Sequence, residues 1–300
     1  MRTTIRAASA TAATAALALA ATTAPTAAGT SRAAVTPVTV TSTGTTMPAP
    51  VAIGLGVDGE TLYRFRVDAP GHARRLGAVE GLTVDTRLVG IDRRVQNRRL
   101  YGVGDHGGVY TINVRHRRAA KVSQLTAPLL GTHFGVDFNP AADRLRVISD
   151  AGQNLRHDVN PGGTTTVDGM LNYPPDMPRA EGVTAAAYTN NDLDATTSTT
   201  LFDVDTALDQ GAIQAPANAG SLSATGRLGI NAAPNTGADT WTGLEDGKAA
   251  ANRGFVTLRP VGSHRFALYA MNLLTGELSR RGHFPRGMRV ADLAVDLDQG

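Results

Sequence analysis

The chain contains no cysteine, a single tryptophan and only 5% aromatic residues in 300 positions. Without cysteine it can form no disulfide, no thiolate nucleophile and no cysteine-ligated metal site. No apolar run approaches the roughly 20 residues that a helix needs to span a bilayer. Zinc-binding His-Glu-x-x-His spacing, the Gly-x-Ser-x-Gly elbow and a helix-opening dinucleotide motif are also missing. Stability must therefore come from packing and from sheet closure.

The first 28 residues resemble a secretory signal. Arg2 and Arg6 supply the positive N-terminal region, 12–21 form a short apolar stretch, and small residues follow at 26–28. The leader predicts export, either into the medium or to the exterior of the cell envelope, with no transmembrane segment.

Residues 29–50 are mostly Thr, Ala, Val and Pro, which predicts a disordered linker before a folded domain over 51–300. Two of the 29 basic residues lie in the leader, so the rest of the chain carries 27 basic and 26 acidic residues. This balance gives no general reason to expect nucleic acid or an anionic membrane as a partner. We expect a monomer.

A phrase consisting of a turn followed by a strand with an aromatic or long side chain recurs five times. Its copies lie at 62–67, 109–114, 154–159, 200–205 and 266–271. Repeats a few tens of residues long, made of short strands and turns, are typical of a β-propeller. The sequence therefore predicts an all-β fold of this architecture.

A second set of segments aligns as the innermost strand of each blade. One column of this alignment consists of Asp92, Asp137, Ala187, Asn231 and Asp296, so its residues are acidic or amide in every segment but one. The residue two positions earlier is small in each segment. The intervals between column members each fit one blade of about 40–45 residues, the last with an insertion. Small residues at these positions indicate close approach of neighbouring backbones around the axis.

The two ends of the repeat region complement one another. Val51 begins a second-strand pattern with no innermost strand before it, whereas 290–298 have an innermost-strand pattern. Pairing of the C-terminal strand with the N-terminal blade would close the ring and remove two open edges. This predicts five blades; six is the alternative, since 230–254 could contain two further strands.

These repeats resemble the uncharacterised bacterial secreted family catalogued as domain of unknown function 4394. The similarity is carried by Asp143–Ser149, Gly152–Arg156, Ala187–Asn190 and Gly229–Pro234, and it extends over the region from about Val51 to Gly300. The resemblance implies a secreted propeller-like domain and brings no catalytic residues with it.

Two sets of residues are candidates for chemistry. The column residues Asp92, Asp137, Asn231 and Asp296 would converge on the axis, where their oxygens could bind Ca²⁺; capping of the following turns is the structural alternative. The second set, predicted as ligand contacts, comprises Arg144, Arg146, Asn154, Arg156 and Trp241. The arginines could instead clamp neighbouring blades, and the tryptophan could pack in the core.

No nucleophile, metal triad or cofactor motif dominates, which favours a non-catalytic binding or scaffold domain for an extracellular glycan or protein. The alternatives are a Ca²⁺-dependent, lactonase-like hydrolase with the channel Asp/Asn residues as ligands, and a purely structural extracellular module. No catalytic residue and no cofactor other than Ca²⁺ is predicted.

Overall fold

A computed structural model describes residues 49–177 and 179–298, and these form five four-stranded antiparallel sheets arranged as a ring. The predicted five-bladed β-propeller is confirmed. The predicted leader and the linker up to residue 48 lie outside the described residues. Within the described part of the chain, no helix has the length and apolarity needed to cross a membrane.

The strands of each blade follow one another from the innermost to the outermost. Blade 1 consists of β20 (Val290–Val295), β1 (Val51–Gly56), β2 (Thr61–Arg66) and β3 (Arg74–Ala78). Blade 2 consists of β4 (Leu88–Arg93), β5 (Leu100–Gly104), β6 (Gly108–Asn113) and β7 (Arg118–Gln124). Blade 3 consists of β8 (Phe134–Asn139), β9 (Arg144–Ser149), β10 (Asn154–His157) and β11 (Thr165–Val167).

Blade 4 consists of β12 (Val183–Tyr188), β13 (Leu201–Asp205), β14 (Gln210–Gln214) and β15 (Leu222–Arg227). Blade 5 consists of β16 (Gly237–Glu245), β17 (Lys248–Leu258), β18 (Ala267–Met271) and β19 (Leu278–His283). Two single 3-10 turns, Pro70–His72 and Ala217–Ala219, are the helical elements of the described residues.

The ring closes as the sequence predicts, by pairing of β20 with β1. Ile53 lies opposite Ala294 in this antiparallel pair. Beyond the strand, the Asp296 amide donates to the Val51 carbonyl at 2.7 Å, and the Asp296 carboxylate forms an ion pair with Arg93 of blade 2. The C-terminal strand is thus tied to both the first and the second blade.

The six-blade alternative is wrong because the segment 230–254 contains one long hairpin. Strands β16 and β17 pair from Gly237 to Glu245, and the turn between them is Asp246-Gly247. Both turn residues have positive φ, 50° and 78°, as a two-residue primed hairpin turn requires. The extra residues therefore lengthen the β16–β17 hairpin of blade 5 and do not form a sixth blade.

The fourth copy of the repeated phrase lies in a different strand from the others. Residues 200–205 overlap β13, the second strand of blade 4, whereas the other four copies overlap the third strand of their blades. The connection between β12 and β13 is long. The residues that stand at the regular repeat spacing therefore form the second strand of this blade and not the third. Apolar clusters fill the interfaces between blades; one joins Leu62 of blade 1 to Leu100 and Ile112 of blade 2.

Candidate functional site

Four aspartates on the innermost strands face the axis of the ring. Asp92 on β4, Asp137 on β8, Asp239 on β16 and Asp292 on β20 are all buried. Carboxylate oxygens of the first three lie within 4.8 Å of one another. This grouping is the channel carboxyl cluster, and Asp292 lies beside it in the lining of an open depression.

Each of these carboxylates accepts a hydrogen bond from the backbone of the next blade. The donors are Phe138 N to Asp92 (2.7 Å), Tyr188 N to Asp137 (3.0 Å), Val295 N to Asp239 (2.5 Å) and Ile91 N to Asp292 (2.8 Å). The aspartates therefore latch one blade to the next around the channel. These bonds join residues far apart in the chain, so they differ from the local capping of the following turns that the sequence offered as the structural alternative.

Burial makes ionisation of all four carboxyls unfavourable. Desolvation is the largest effect on Asp292 and raises its pKa to about 8, although the Ile91 amide opposes it. Desolvation likewise raises the pKa of Asp239 to about 7 against its backbone hydrogen bonds. For Asp92 and Asp137, desolvation and then repulsion from neighbouring carboxylates raise the pKa well above its usual value.

Two members of the predicted column lie elsewhere. Asn231 is exposed in the loop before β16, and its place on the innermost strand is taken by Asp239. Asp296 lies just after β20 and pairs with Arg93, while Asp292 occupies the latch position. The alignment of these two blades was therefore wrong.

Close packing explains why Asp292 reaches the axis. A Cβ on Gly237 would come within 2.4 Å of Asp292 Oδ1, and one on Gly90 within 3.3 Å of Asp292 Oδ2. Two glycines on the flanking strands thus leave the space that the carboxyl occupies. The expected close approach of backbones is also seen where a Cβ on Gly135 would meet the Ala186 nitrogen at 2.6 Å.

The latch is missing between blades 4 and 5, where Ala187 replaces the aspartate. A loop following β12 holds these blades together instead. Asn190 N donates to Asn252 Oδ1 at 2.9 Å, and Ala249 N donates to Asp192 Oδ2 at 2.8 Å. Lys248 Nζ lies 2.8 Å from Asp194 Oδ2, so an ammonium group neutralises this acidic loop.

A polar depression opens at the end of the channel where the innermost strands begin; we call it the funnel. It has a volume of about 280 Å³ and is lined by residues that include Arg87, His133, Asn235 and Asp292. Arg87 and His133 immediately precede the innermost strands of blades 2 and 3 and so occupy equivalent positions. The side chain of Arg87 is 57% exposed.

The funnel rim is fixed by the same contact in two blades. Thr86 donates its backbone N–H and hydroxyl to Asp105, at 2.9 and 2.6 Å, and Thr132 does the same to Asp150, at 2.8 and 2.6 Å. Burial disfavours ionisation of Asp105, but the Thr86 bonds outweigh it and lower its pKa to about 2. His133 Nδ1 also contacts Asp150, at 2.9 Å. The loops that carry Arg87 and His133, together with the His133 side chain, are therefore held in place before any ligand arrives.

Arg146, one of the predicted ligand contacts, is buried and clamps blade 3 to blade 4. Its guanidinium donates to Asn154 Oδ1 (2.7 Å), Asp168 Oδ2 (2.6 Å), Tyr188 Oη (3.2 Å) and Asn218 Oδ1 (2.8 Å). Asn154 is buried too, and its amide group donates to the Gly169 and Ala217 carbonyls. The geometry of these two residues is that of an interblade clamp.

The other predicted ligand contacts are more accessible. Arg156 forms a bidentate contact with Asp168, at 2.7 and 3.0 Å, and Arg144 pairs with Asp158 at 3.2 Å. Trp241 on β16 is partly buried, with the Arg253 guanidinium 5.2 Å from its ring centroid. The structure does not bring these residues to the channel carboxyl cluster or to the funnel lining, and ligand binding by Arg144, Arg156 and Trp241 stays a prediction.

Asp203 on β13 is a buried acid that sequence reasoning missed. Neither of its carboxylate oxygens has a hydrogen-bond partner in the described structure, and desolvation raises its pKa well above the usual value. Strand pairing places it in the position held by Gly102, Val147 and Val256 in three other blades. A comparison of second strands, rather than of aromatic phrases, would have singled it out.

The architecture defines a five-bladed β-propeller with an acidic channel and a polar funnel. The chain belongs to the family described as Domain of unknown function (DUF4394), whose model matches residues 61–294. No sequence among curated proteins matches it.

Several solved structures are similar to this chain. One is a protein from Lactobacillus plantarum, 15% identical, with 83% of this chain and 99% of that chain covered and a TM-score of 0.38. Another, a protein of unknown function from Bacteroides thetaiotaomicron, is 12% identical over 85% and 67%, with a TM-score of 0.40. Hydrazine synthase from Kuenenia stuttgartiensis is 14% identical over 82% and 69%, with a TM-score of 0.33. Likenesses this weak bring no activity to the present chain.

Proposed function

We propose that the protein is a non-catalytic binding domain that takes a small polar ligand, such as part of an extracellular glycan or peptide, in the funnel. The observation that carries the proposal is the pre-organised rim. Arg87, His133 and Asn235 come from three blades and line one depression, and two of their loops are fixed by aspartate contacts. Rigid polar groups around a concave site favour recognition because little ordering is needed on binding.

The funnel chemistry favours binding over catalysis. Thr132 Oγ1 lies 3.0 Å from His133 Nδ1, but the hydroxyl donates its proton to Asp150 at 2.6 Å. The same ring nitrogen contacts that carboxylate at 2.9 Å, so it is not free to take a proton from the hydroxyl as a general base would. Location at the cell exterior and a monomeric state belong to this proposal; the first is supported by the sequence of residues 1–28.

The binding proposal is tested on an array of bacterial glycans, peptidoglycan fragments and extracellular peptides. We expect hits that Arg87→Ala and Asn235→Ala weaken about tenfold or more, the cost of one good polar contact. The matched control is Arg280→Ala, an exposed arginine on the outer strand of blade 5. Arg144→Ala, Arg156→Ala and Trp241→Ala test the predicted contacts in the same assay. An array with no hits would leave the purely structural module.

The channel carboxyl cluster supports a second candidate, a Ca²⁺-dependent hydrolase. Oxygens of Asp92, Asp137 and Asp239 within 4.8 Å of one another have the chemistry that Ca²⁺ prefers. The backbone hydrogen bond that each of these carboxylates already accepts competes with Ca²⁺ for the carboxylate oxygens. If Ca²⁺ binds there, it should raise the melting temperature, EDTA should lower it, and Asp137→Asn should remove the response. A melting curve indifferent to both reagents would exclude this candidate.

A further inference from the structure

Basic residues are concentrated in blades 1 and 2. Residues 51–125, which form these blades apart from β20, contain 13 Arg and Lys against 7 Asp and Glu, whereas residues 126–298, which include β20, contain 13 against 19. Ten of the 13 bases in the first region are exposed, compared with four of its acids. The net charge of the chain is therefore small although its charges are unevenly distributed. A local excess of positive charge on the surface attracts anions.

The region where these two blades face each other, which we call the cleft, contains Arg64, Arg74 and Arg117. Arg64 on β2 lies directly opposite Arg74 on β3. Both are exposed, and they share the sheet face of Leu62, which packs against blade 2. From blade 2, the Arg117 guanidinium lies over β3, where a Cβ on Gly77 would be 3.0 Å from its Nε.

A groove of about 530 Å³ lies on the face of blade 2 that packs against blade 1, because its lining includes Leu100 and Ile112 of the cluster shared with Leu62. It is lined by Arg93, Arg98 and Arg99 together with the end of β6. Arg93 forms an ion pair with Asp296, which neutralises its charge within the protein, whereas Arg98 donates to the uncharged Asp298 carbonyl and keeps its charge. Arg99 forms no ion pair among the described residues.

Several exposed cations of this region are left without an acidic partner among residues 49–177 and 179–298. They include Arg64, Arg74, Arg115, Arg118 and Lys121. Like charges directly opposite one another on a sheet are unfavourable. The Arg64–Arg74 pair therefore costs folding stability, and an external anion would relieve that cost.

We propose that the cleft and groove between blades 1 and 2 bind a linear anionic polysaccharide, at a surface distinct from the funnel. The arginines are spread over several strands, which suits an extended polymer carrying repeated carboxylates. Single-stranded nucleic acid fits less well because its sites use exposed aromatic rings for stacking. The tyrosines of this region, Tyr63, Tyr101 and Tyr110, are all buried.

The test uses short fluorescein-labelled polygalacturonate and the folded protein, with anisotropy measured at roughly 50 and 200 mM NaCl. We expect binding at low salt that weakens about tenfold or more at the higher salt, because each contact releases counterions. The double variant Arg64→Glu/Arg74→Glu should lose a further tenfold or more at low salt, a size on the order expected for reversing two charges. Reversal keeps like charges opposite one another, so folding should be unchanged.

The matched control is Arg280→Glu/Arg281→Glu, which reverses two exposed arginines on blade 5 and should stay within about twofold of the parent. Arg115→Glu, at a hairpin tip, gives a second variant should the first fold poorly. Asn235→Ala should not change polygalacturonate binding, which separates this site from the funnel. Equal losses in both double variants, no binding at low salt, or tighter binding of oligothymidylate than of polygalacturonate would overturn the proposal.

Discussion

The amide of Ile91 on β4 donates to the carboxylate of Asp292 on β20 at 2.8 Å. The strand that completes blade 1 is thereby bonded to blade 2, and the carboxyl that makes this bond is buried and hard to ionise. Ring closure and channel electrostatics are thus coupled through one side chain.

The Asp292 coupling predicts that stability falls as pH rises. The folded pKa of about 8 is above the unfolded value near 3.9, so the folded state holds the extra proton between these limits. Unfolding free energy should decrease from roughly pH 4 to pH 8. Asp292→Asn, which can still accept the Ile91 N–H, should flatten this slope and stabilise the protein at pH 8.5 by more than about 1.4 kcal/mol. Urea titrations at pH 4.5 and 8.5 measure it; parallel slopes for both proteins would contradict it.

Removing apolar contacts from the closing strand should loosen the whole ring. Leu293 on β20 is 1% exposed, and Leu293→Ala should cost about 2–4 kcal/mol through lost contacts and a cavity. Leu274→Ala, at a side chain that is 77% exposed, is the control and should change stability by less than about 0.5 kcal/mol. Thermal unfolding compares the two; equal effects would show that β20 packing does not limit stability.

The Arg146 clamp makes a third prediction. Arg146→Met would leave the Asp168 carboxylate, whose side chain is 5% exposed, with only Arg156 as a partner. Loss of one member of a buried pair costs about 3–5 kcal/mol. Arg144→Met removes a half-exposed arginine from the same strand and should cost about 1 kcal/mol or less. Chemical denaturation measures both, and a smaller loss at Arg146 than at Arg144 would refute the clamp.

Asp203 should be a site where replacement stabilises the protein. Asp203→Val introduces the residue found at the equivalent positions of blades 3 and 5, and it removes a buried carboxyl without hydrogen bonds. We expect a gain of about 1–3 kcal/mol. The reciprocal change, Val147→Asp, should destabilise by a comparable amount. Melting temperatures of the two variants check the pair; a destabilised Asp203→Val would mean that the carboxyl has a partner worth keeping.

The sequence predicted the ring because its two signals, repeat length and complementary ends, depend only on local strand patterns. It misplaced Asn231 because Gly229-Ile230-Asn231 copies the spacing of Gly90-Ile91-Asp92, although Gly237-Ala238-Asp239 fits that spacing with a carboxylate as well. Which copy enters the sheet is decided by packing against neighbouring blades. That packing involves residues far apart in the chain, so a short local motif does not show it.

The choice between Asp292 and Asp296 shows the same limit. Both follow small or apolar residues on one short strand, and motif matching selects Asp296. The structure selects Asp292 because glycines on two other strands leave it space. The funnel was missed for a related reason, since its rim residues are adjacent only after several separate loops converge.

Pairing of β20 with β1 also sets an order of events during synthesis. Strand β1 emerges from the ribosome long before β20, so its hydrogen-bonding edge waits unpaired while four blades are translated. An open edge of this kind invites contact with other nascent chains. The first blade is therefore completed last. We expect the yield of folded protein to depend on how well the unpaired edge of β1 is protected from other chains during synthesis.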